Sequence, residues 1–393
     1  MKILREDTPS FDLQALERAW TLPATFVLVS AKLSVDDQWL ADCAATLPPH
    51  LREWHFILLT SGSTGSPKLV IGERRRADAL VAILHHLQSS DVVEETLLLL
   101  PLSYSYSFVN QWLWARQFRR RLVPTRGLAD PHALRENLRA AHQAMLCLVG
   151  VQVPLLVNAF PTETFPGVWR IHFAGGRFPQ EQLPQLKRLF PEARVYNNYG
   201  CAEAMPRLAL RSAEAAADPA NIGQPLPGVE LQTDGADRLF FRSPYRAIAL
   251  IENQVCREIQ PDEWLPTGDL AAQDGDGAWR LLGRGNDIFK RHGEKVSLLA
   301  LLATVSAPWS GQCAFYRERD PTGEDGCVLV LTPLATREAI NGVLLALRRK
   351  HPRAHWPLRI ETLSALPLLP NGKTDIRALT DLAGKAVVWR QLA

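Results

Sequence analysis

The stretch Thr60-Ser61-Gly62-Ser63-Thr64-Gly65-Ser66-Pro67-Lys68 follows directly on Phe56-Ile57-Leu58-Leu59, an apolar run that reads as a buried strand. A strand that empties into glycines and hydroxyls suits an anion. Glycine lets the backbone approach closely, hydroxyls and amides donate to phosphate oxygens, and Lys68 adds a positive charge. A flexible Ser/Gly loop without a ligand is the plainer reading of such composition. The fixed order of hydroxyl, glycine and lysine positions argues against it. Spacing excludes a Walker A loop, because Gly62 is not followed five residues later by Gly-Lys-Ser/Thr.

Outward from this loop, short apolar runs alternate with amphipathic ones. Residues 75–87 predict a helix with Leu80, Ile83, Leu84 and Leu87 on one face. Residues 96–102 read as a strand, 111–120 as a helix, and 144–151 and 169–174 as further strands. The alternation predicts an α/β architecture with largely parallel strands. After Ile222, Gly, Pro and Asp become frequent and short alternating runs such as Leu239-Phe240-Phe241-Arg242 take over, so a β-rich subdomain is expected. Gly283-Arg284-Gly285-Asn286-Asp287 suits a linker. The expected organisation is a large layered domain over 1–282 and a small, mobile α+β domain over 283–393.

With 393 residues, 47% of them hydrophobic, the chain has the apolar material for more than one core. A net charge of +3 gives no reason to expect nucleic acid. Arg74-Arg75-Arg76 and Arg119-Arg120-Arg121 are local basic runs, most simply solvated helix faces. The six cysteines form no Cys-x-x-Cys pair and have no His cluster beside them, which argues against zinc and suits a reducing compartment. The first residues lack a signal-peptide core, and the longest apolar run, near Leu97 to Leu102, is too short to span a bilayer. A cytoplasmic protein without a membrane span is expected.

The segment from Thr60 to Lys68 resembles the phosphate loop of the adenylate-forming superfamily: acyl-CoA synthetases, aryl-acid ligases, peptide-synthetase adenylation domains and luciferases. Further motifs of that family follow in the expected order to about Leu379. Asn197-Asn198-Tyr199-Gly200-Cys201-Ala202-Glu203 resembles the segment ending Tyr-Gly-x-Thr-Glu, whose aromatic residue packs on adenine and whose Glu helps hold Mg2+. Carboxylate oxygens suit so hard a cation. Ala202 stands where Thr is usual, so one phosphate-directed hydroxyl is missing. Phe173-Ala174-Gly175-Gly176 resembles the glycine turn lining the acid and adenine pocket. Thr267-Gly268-Asp269 resembles the Thr-Gly-Asp whose carboxylate accepts from both ribose hydroxyls. Outside this ordered set, Glu203 would read as a surface carboxylate and Thr-Gly-Asp as a turn.

The resemblance extends into the C-terminal part. Residues 283–293 resemble the family linker Gly-Arg-x-Asp-Asp-x-Ile-Lys-x-x-Gly, which implies Arg284 on the ribose and phosphate side, Asn286 at the hinge and Lys290 in the thioester-forming arrangement. Asp or Lys is commoner at the hinge, but Asn tolerates unusual backbone angles. Pro367-Leu368-Leu369-Pro370-Asn371-Gly372-Lys373 resembles the catalytic loop Pro-x-x-Pro-x-Gly-Lys, which makes Lys373 the bridge between the attacking carboxylate and the α-phosphate. Pro101-Leu102-Ser103-Tyr104-Ser105-Tyr106-Ser107-Phe108 aligns with the acid-pocket segment, placing Tyr104 and Tyr106 with Gly176 in that pocket; core packing is the plainer role for one of the two tyrosines. Amino-acid-activating members carry an Asp there, and none occurs from Pro101 to Asn110. A buried ammonium without a partner costs several kcal/mol, so an aryl or acyl acid is expected over an α-amino acid.

Family members carry a substantial subdomain ahead of the loop, whereas here the loop begins at Thr60, so a compact form is expected; a homodimer would shield the side this leaves open. The implied activity joins a carboxylic acid to ATP as acyl-AMP with release of pyrophosphate, then passes the acyl group to coenzyme A or to the phosphopantetheine of an acyl carrier protein, with the basic runs facing an acidic carrier. The alternatives are a phosphotransferase releasing ADP and a non-catalytic nucleotide-binding partner in a biosynthetic assembly. The retained Lys373, Asp269 and Glu203 argue against the latter. On the ribose reading, Asp269→Ala weakens ATP binding by about 1.5–3 kcal/mol, the range for hydrogen bonds to a charged group. Titration calorimetry with ATP checks this, and unchanged affinity in a folded variant removes Asp269 from the ribose.

Overall fold

The computed structural model describes residues 1–6, 11–31, 33, 35–61, 67–150, 152–176, 178–215, 218–334, 336–369 and 374–391, with the side chains of 61, 67 and 286 left aside. The chain divides into two compact units. The first comprises Met1–Gln232 and Phe240–Thr267; the second comprises Thr233–Leu239 and Gly268–Ala393.

Two sheets build the first unit. One runs in the order Lys2–Glu6, Phe26–Ser30, His55–Ser61, Pro67–Glu73, Ala249–Glu252, Val255–Glu258. Its first three strands are parallel and the rest antiparallel. Side chains alternate faces along a strand. Thus Ile57 and Leu59 join Val27, Val29, Leu40 and Cys43 under the helix Asp37–Ala45. Phe56 turns the other way into an aromatic cluster with Trp20 and Phe108, at ring distances of 5.5 and 5.0 Å.

The second sheet has the neighbouring order Asn221–Pro225, Ala209–Ser212, Arg194–Tyr199, Val168–Ala174, Ala144–Val149, Glu95–Leu98, Arg121–Pro124. From Arg194–Tyr199 to Arg121–Pro124 every pairing is parallel. Leu146, Leu148, Ile171, Phe173 and Val195 face a core shared with Leu134 and Leu138 of the helix Pro131–Arg139 and with Val153 and Leu156 of Gln152–Ala159.

The second unit has its own core. Strands Gln312–Arg319, Asp325–Thr332, Arg359–Thr362 and Ala386–Arg390 form one sheet, with a single parallel pairing in the middle. Cys327, Leu329 and Leu331 pack against helices Leu298–Ser306 and Arg337–Lys350; Val328 and Val330 on the opposite face meet Leu379 of Ile376–Asp381. The layered α/β body with β-rich additions and the α+β C-terminal part are therefore both present. Among the described residues no helix is long and apolar enough to cross a membrane.

Local differences have local causes. The strand expected over 96–102 is Glu95–Leu98, and the chain then turns ahead of Pro101. The helix expected over 111–120 starts earlier, as a π-turn segment Phe108–Leu113 running into Trp114–Phe118, and stops at Arg119 in the left-handed region. In the helix Arg74–Leu87 the buried stripe is Ala77, Leu80, Val81 and Leu84, while Leu87 is exposed.

Arg74 corrects the reading of its basic run as a solvated face. Its side chain is buried and donates to the carbonyls of Trp20, Leu22, Ala24 and His55 at 2.6–3.2 Å. The guanidinium also lies over the rings of Trp20, Phe26 and Trp54. The segment at 20–24 turns its carbonyls inward there, and only a long multi-donor side chain satisfies them. Burial pulls the group down to about 10, still cationic at neutral pH. Arg74→Ala strands several of these acceptors at once and should cost about 3 kcal/mol. The urea midpoint reports this; an unchanged midpoint means water replaces the guanidinium at no cost.

Candidate active site

Parallel pairing carries the carboxyl ends of four strands to one edge of the second sheet. Glu95–Leu98 leads to Pro101–Phe108, Ala144–Val149 to Gly150, Val168–Ala174 to Gly175 and Gly176, and Arg194–Tyr199 to Gly200 and Glu203. In open α/β sheets the crevice outside the carboxyl ends of the strands is where ligands sit. Gly175 adopts φ 82, a left-handed conformation that costs glycine nothing. A methyl group built onto Gly150 or Gly176 would meet no described atom within 4 Å, so both border open space.

Around Lys68 the contacts are ionic. Strands His55–Ser61 and Pro67–Glu73 pair antiparallel, with Thr60 opposite Lys68 and Ser61 opposite Pro67. Gly62, Ser63, Thr64 and Gly65 lie outside the described residues. Lys68 Nζ sits 2.9 Å from Glu203 Oε1 and 2.8 Å from Glu252 Oε1. Burial works against the ammonium, but Glu203 and Glu252 outweigh it and hold it above the ordinary lysine value. Glu203 belongs to the short turn Ala202–Ala204, and Ala247 N donates to its carbonyl at 2.8 Å. Among the described residues no cluster of three or more metal-type ligands occurs. Mg2+ takes one or two protein carboxylates together with substrate phosphates and water. Glu203 fits such a share.

The segment Pro101–Phe108 is held by a residue from the start of the chain. Glu6, buried at the end of Lys2–Glu6, accepts from Leu102 N at 2.6 Å and Ser103 N at 2.7 Å. That fixes the start of the segment carrying Tyr104 and Tyr106. Tyr106 is enclosed, and burial raises its phenol well above the usual tyrosine range. The fully buried guanidinium of Arg207 lies 5.7 Å from the Tyr106 ring. It donates to Asn110 Oδ1 at 2.7 Å and to Asn198 Oδ1, which also accepts from Gln88 Nε2 at 3.2 Å. Tyr199, next along, is buried at the strand end.

The remaining sequence-derived residues fall in the second unit. Asp269 and Arg284 are register partners on Leu265–Gln273 and Trp279–Arg284, with Arg284 Nε 3.2 Å from Asp269 Oδ1. The segment read as a linker is structured: Gly285–Asp287 is a single turn leading into Ile288–Arg291. Burial raises the Asp287 carboxyl against the pull of Arg284. Lys290 is exposed on Ile288–Arg291, opposite Lys295. Lys373 and the side chain of Asn286 lie outside the description.

Sequence reasoning singled out neither Glu6, Asn110, Arg207 nor Glu252. Each has a partner about 100 to almost 200 residues away in the chain. The only signal present was charged or amide residues within otherwise apolar runs, a pattern shared with many surface positions.

The profile of one family, described as AMP-binding enzyme, matches residues 7–235, more than half of the chain. The chain is 25% identical over 362 residues to the delta-poly-L-ornithine synthetase of Acinetobacter baumannii, covering 82% of this chain and 26% of that protein. It is 26% identical over 359 residues to the non-ribosomal peptide synthetase CmlP of Streptomyces venezuelae, covering 87% and 36%. The chain thus spans about a quarter to a third of these curated relatives. Among solved structures, the o-succinylbenzoate CoA synthetase of Bacillus subtilis with its acyl-adenylate superposes with a TM-score of 0.75 at 17% identity, covering 98% of this chain and 88% of that one.

Gly200 gives a steric test of the site. A Cβ there would lie 1.9 Å from the Pro206 carbonyl oxygen and 3.0 Å from Arg207 Cα. Gly200→Ala must push these backbones apart and should cost at least about 2 kcal/mol. Gly150→Ala, entering open space, should cost under about 0.5 kcal/mol. Denaturant unfolding of both variants checks the pair, and equal midpoints would contradict the close approach.

Proposed function

The chain belongs to the AMP-binding enzyme family, and from that premise we propose that it activates a carboxylic acid with ATP and passes the acyl group to a thiol. The observation that carries this reading is the meeting, at one sheet edge, of the acid-side segment with the Asn198–Glu203 segment, where Lys68 is held against Glu203. In the first half-reaction a carboxylate oxygen of the acid attacks the α-phosphorus of ATP. The new P–O bond gives acyl-AMP, and the bond to pyrophosphate breaks. In the second, a thiolate attacks the acyl carbon and AMP departs. The acceptor is coenzyme A or a carrier-protein phosphopantetheine.

The division of labour follows from chemistry. Lys68 and the loop from Thr60 to Gly65 hold the phosphates, and Tyr199 presents its ring to adenine. Glu203, ion-paired with Lys68, would share in holding Mg2+, which would offset the phosphate charge. Asp269 accepts from the ribose hydroxyls beside Arg284. Lys373 stabilises negative charge where the carboxylate and α-phosphate approach each other. A reorientation about Asn286 then replaces Lys373 by the Lys290 face for thiol transfer. Tyr104, Tyr106 and Gly176 border the acid. An aryl or acyl acid is favoured over an α-amino acid, because Pro101–Asn110 has no Asp and the Arg207 cation stands beside that segment.

The two half-reactions test the assignment. Lys373→Ala should lose acyl-AMP formation by roughly a hundred- to a thousandfold, as for removal of one electrostatic stabiliser. Supplied with pre-formed acyl-AMP, it should still load its thiol. Asn286→Pro restricts the backbone at the hinge and should do the reverse. Normal ATP–pyrophosphate exchange in Lys373→Ala removes that lysine from catalysis, and equal loss of both halves in both variants refutes the two-orientation cycle.

A further inference from the structure

The sheet face opposite the apolar core carries a polar row. Cys147, His172 and Tyr196 are register neighbours on three adjacent parallel strands. His172 is fully buried and stacks on Tyr196 at 5.5 Å, yet neither of its ring nitrogens finds a hydrogen-bond partner among the described residues. The hydroxyl of Tyr106, buried near Cys147 and Asn198, makes no well-formed hydrogen bond among the described residues. Arg207 reaches into the same cluster: its ring neighbour is Tyr106, and its partners Asn110 and Asn198 are neutral amides. No described carboxylate pairs with it.

This is an expensive arrangement unless something completes it. A guanidinium cannot shed its charge at physiological pH. Isolating one without a counter-ion, among three polar atoms that make no well-formed hydrogen bond, runs against the rule that buried polar groups are satisfied. Contrast Arg74, a less deeply buried cation with four carbonyl acceptors. The opening neighbourhood matters too: Gly150 lies three residues beyond Cys147 on the same chain segment and borders open space.

We propose that Arg207, with Asn110, Asn198, Tyr106 and His172, binds an oxygen acceptor at the end of the acid substrate remote from its reacting carboxylate. This rests on the placement of the acid beside Tyr104 and Tyr106 given above. The substrate class is therefore a carboxylic acid bearing a second oxygen group, either a carboxylate or a phenolic oxygen, and not a plain hydrocarbon acid. The guanidinium supplies the charge. Tyr106 and neutral His172 supply directional bonds, which are left unmade by an acid lacking the distal oxygen. Such a site rejects the oxygen-free analogue far more strongly than an apolar pocket rejects an added hydroxyl.

ATP–pyrophosphate exchange over matched acids tests this: benzoate against 4-hydroxybenzoate and 4-carboxybenzoate, and hexanoate against hexanedioate. The full chain should prefer an oxygen-bearing member of a pair by about a hundredfold or more in kcat/KM. Whether the phenol or the diacid wins separates the two sources. In Arg207→Leu that preference should shrink at least about thirtyfold, chiefly through KM for the oxygen-bearing acid. Tyr106→Phe, which removes only the hydroxyl, should narrow it by about fivefold and keeps the test open if Arg207→Leu fails to fold. ATP affinity, measured alongside, separates specificity from a structural role. Equal or better use of the plain acids overturns the inference while leaving adenylation intact. So does a uniform loss over all acids and ATP in both variants. Exchange with no acid at all overturns the adenylation reading, and this inference with it.

Discussion

Parallel pairing of four consecutive sheet neighbours is the constraint on which the rest of the first unit depends. Antiparallel strands would send alternate loops to opposite edges. Here Leu98, Val149, Ala174 and Tyr199 all end on one side, so segments separated by up to a hundred residues in the chain share one border. The helices that make the parallel crossovers bury one face of this sheet in Leu, Val and Phe. The other face is left to carry polar residues. A shared loop-bearing edge and a polar face thus follow from one choice of strand direction.

Within that frame the two cations of the site are treated oppositely. Lys68 is half-buried and held between two carboxylates, from the Asn198–Glu203 segment and from the strand Ala249–Glu252. Its charge is neutralised locally by the two carboxylates. Arg207 is fully buried and held only by amide oxygens and an aromatic ring. Burial draws it down to about 10, which leaves it charged at neutral pH and without an ionic partner among the described residues. The first cation suits a ligand that arrives with many charges, the second a single accepting group fitted at close range.

Two further charged side chains are structural. Glu6 closes on the amides of Leu102 and Ser103, and Arg74 closes on four carbonyls between Trp20 and His55. In both cases a side chain replaces the ladder that a turning backbone gives up. Glu6 ties the first strand to the segment carrying Tyr104 and Tyr106, while Arg74 ties the chain at 20–24 to the strand that begins at His55.

The sequence alone determined the elements whose signals are local. Phe56–Leu59 sits inside a strand, the helix over 75–87 and the strands near 144 and 169 are where periodicity puts them, and the change to short strands after Ile222 is real. The ordered motifs marked Lys68, Gly175, Glu203, Asp269 and Arg284, of which the structure pairs Lys68 with Glu203 and Asp269 with Arg284. A motif is a run of neighbours in the chain, and such runs can be read. Tertiary structure alone decided that Arg74 is buried and not solvated, that Glu6 reaches Leu102, and that Arg207 stands over Tyr106 with no counter-ion among the described residues. Whether an arginine is a surface charge, a carbonyl clamp or a ligand-seeking cation depends on what surrounds its guanidinium several bonds from its own backbone. Those surroundings come from strands and turns whose adjacency is set by sheet order, which no local pattern of residues encodes.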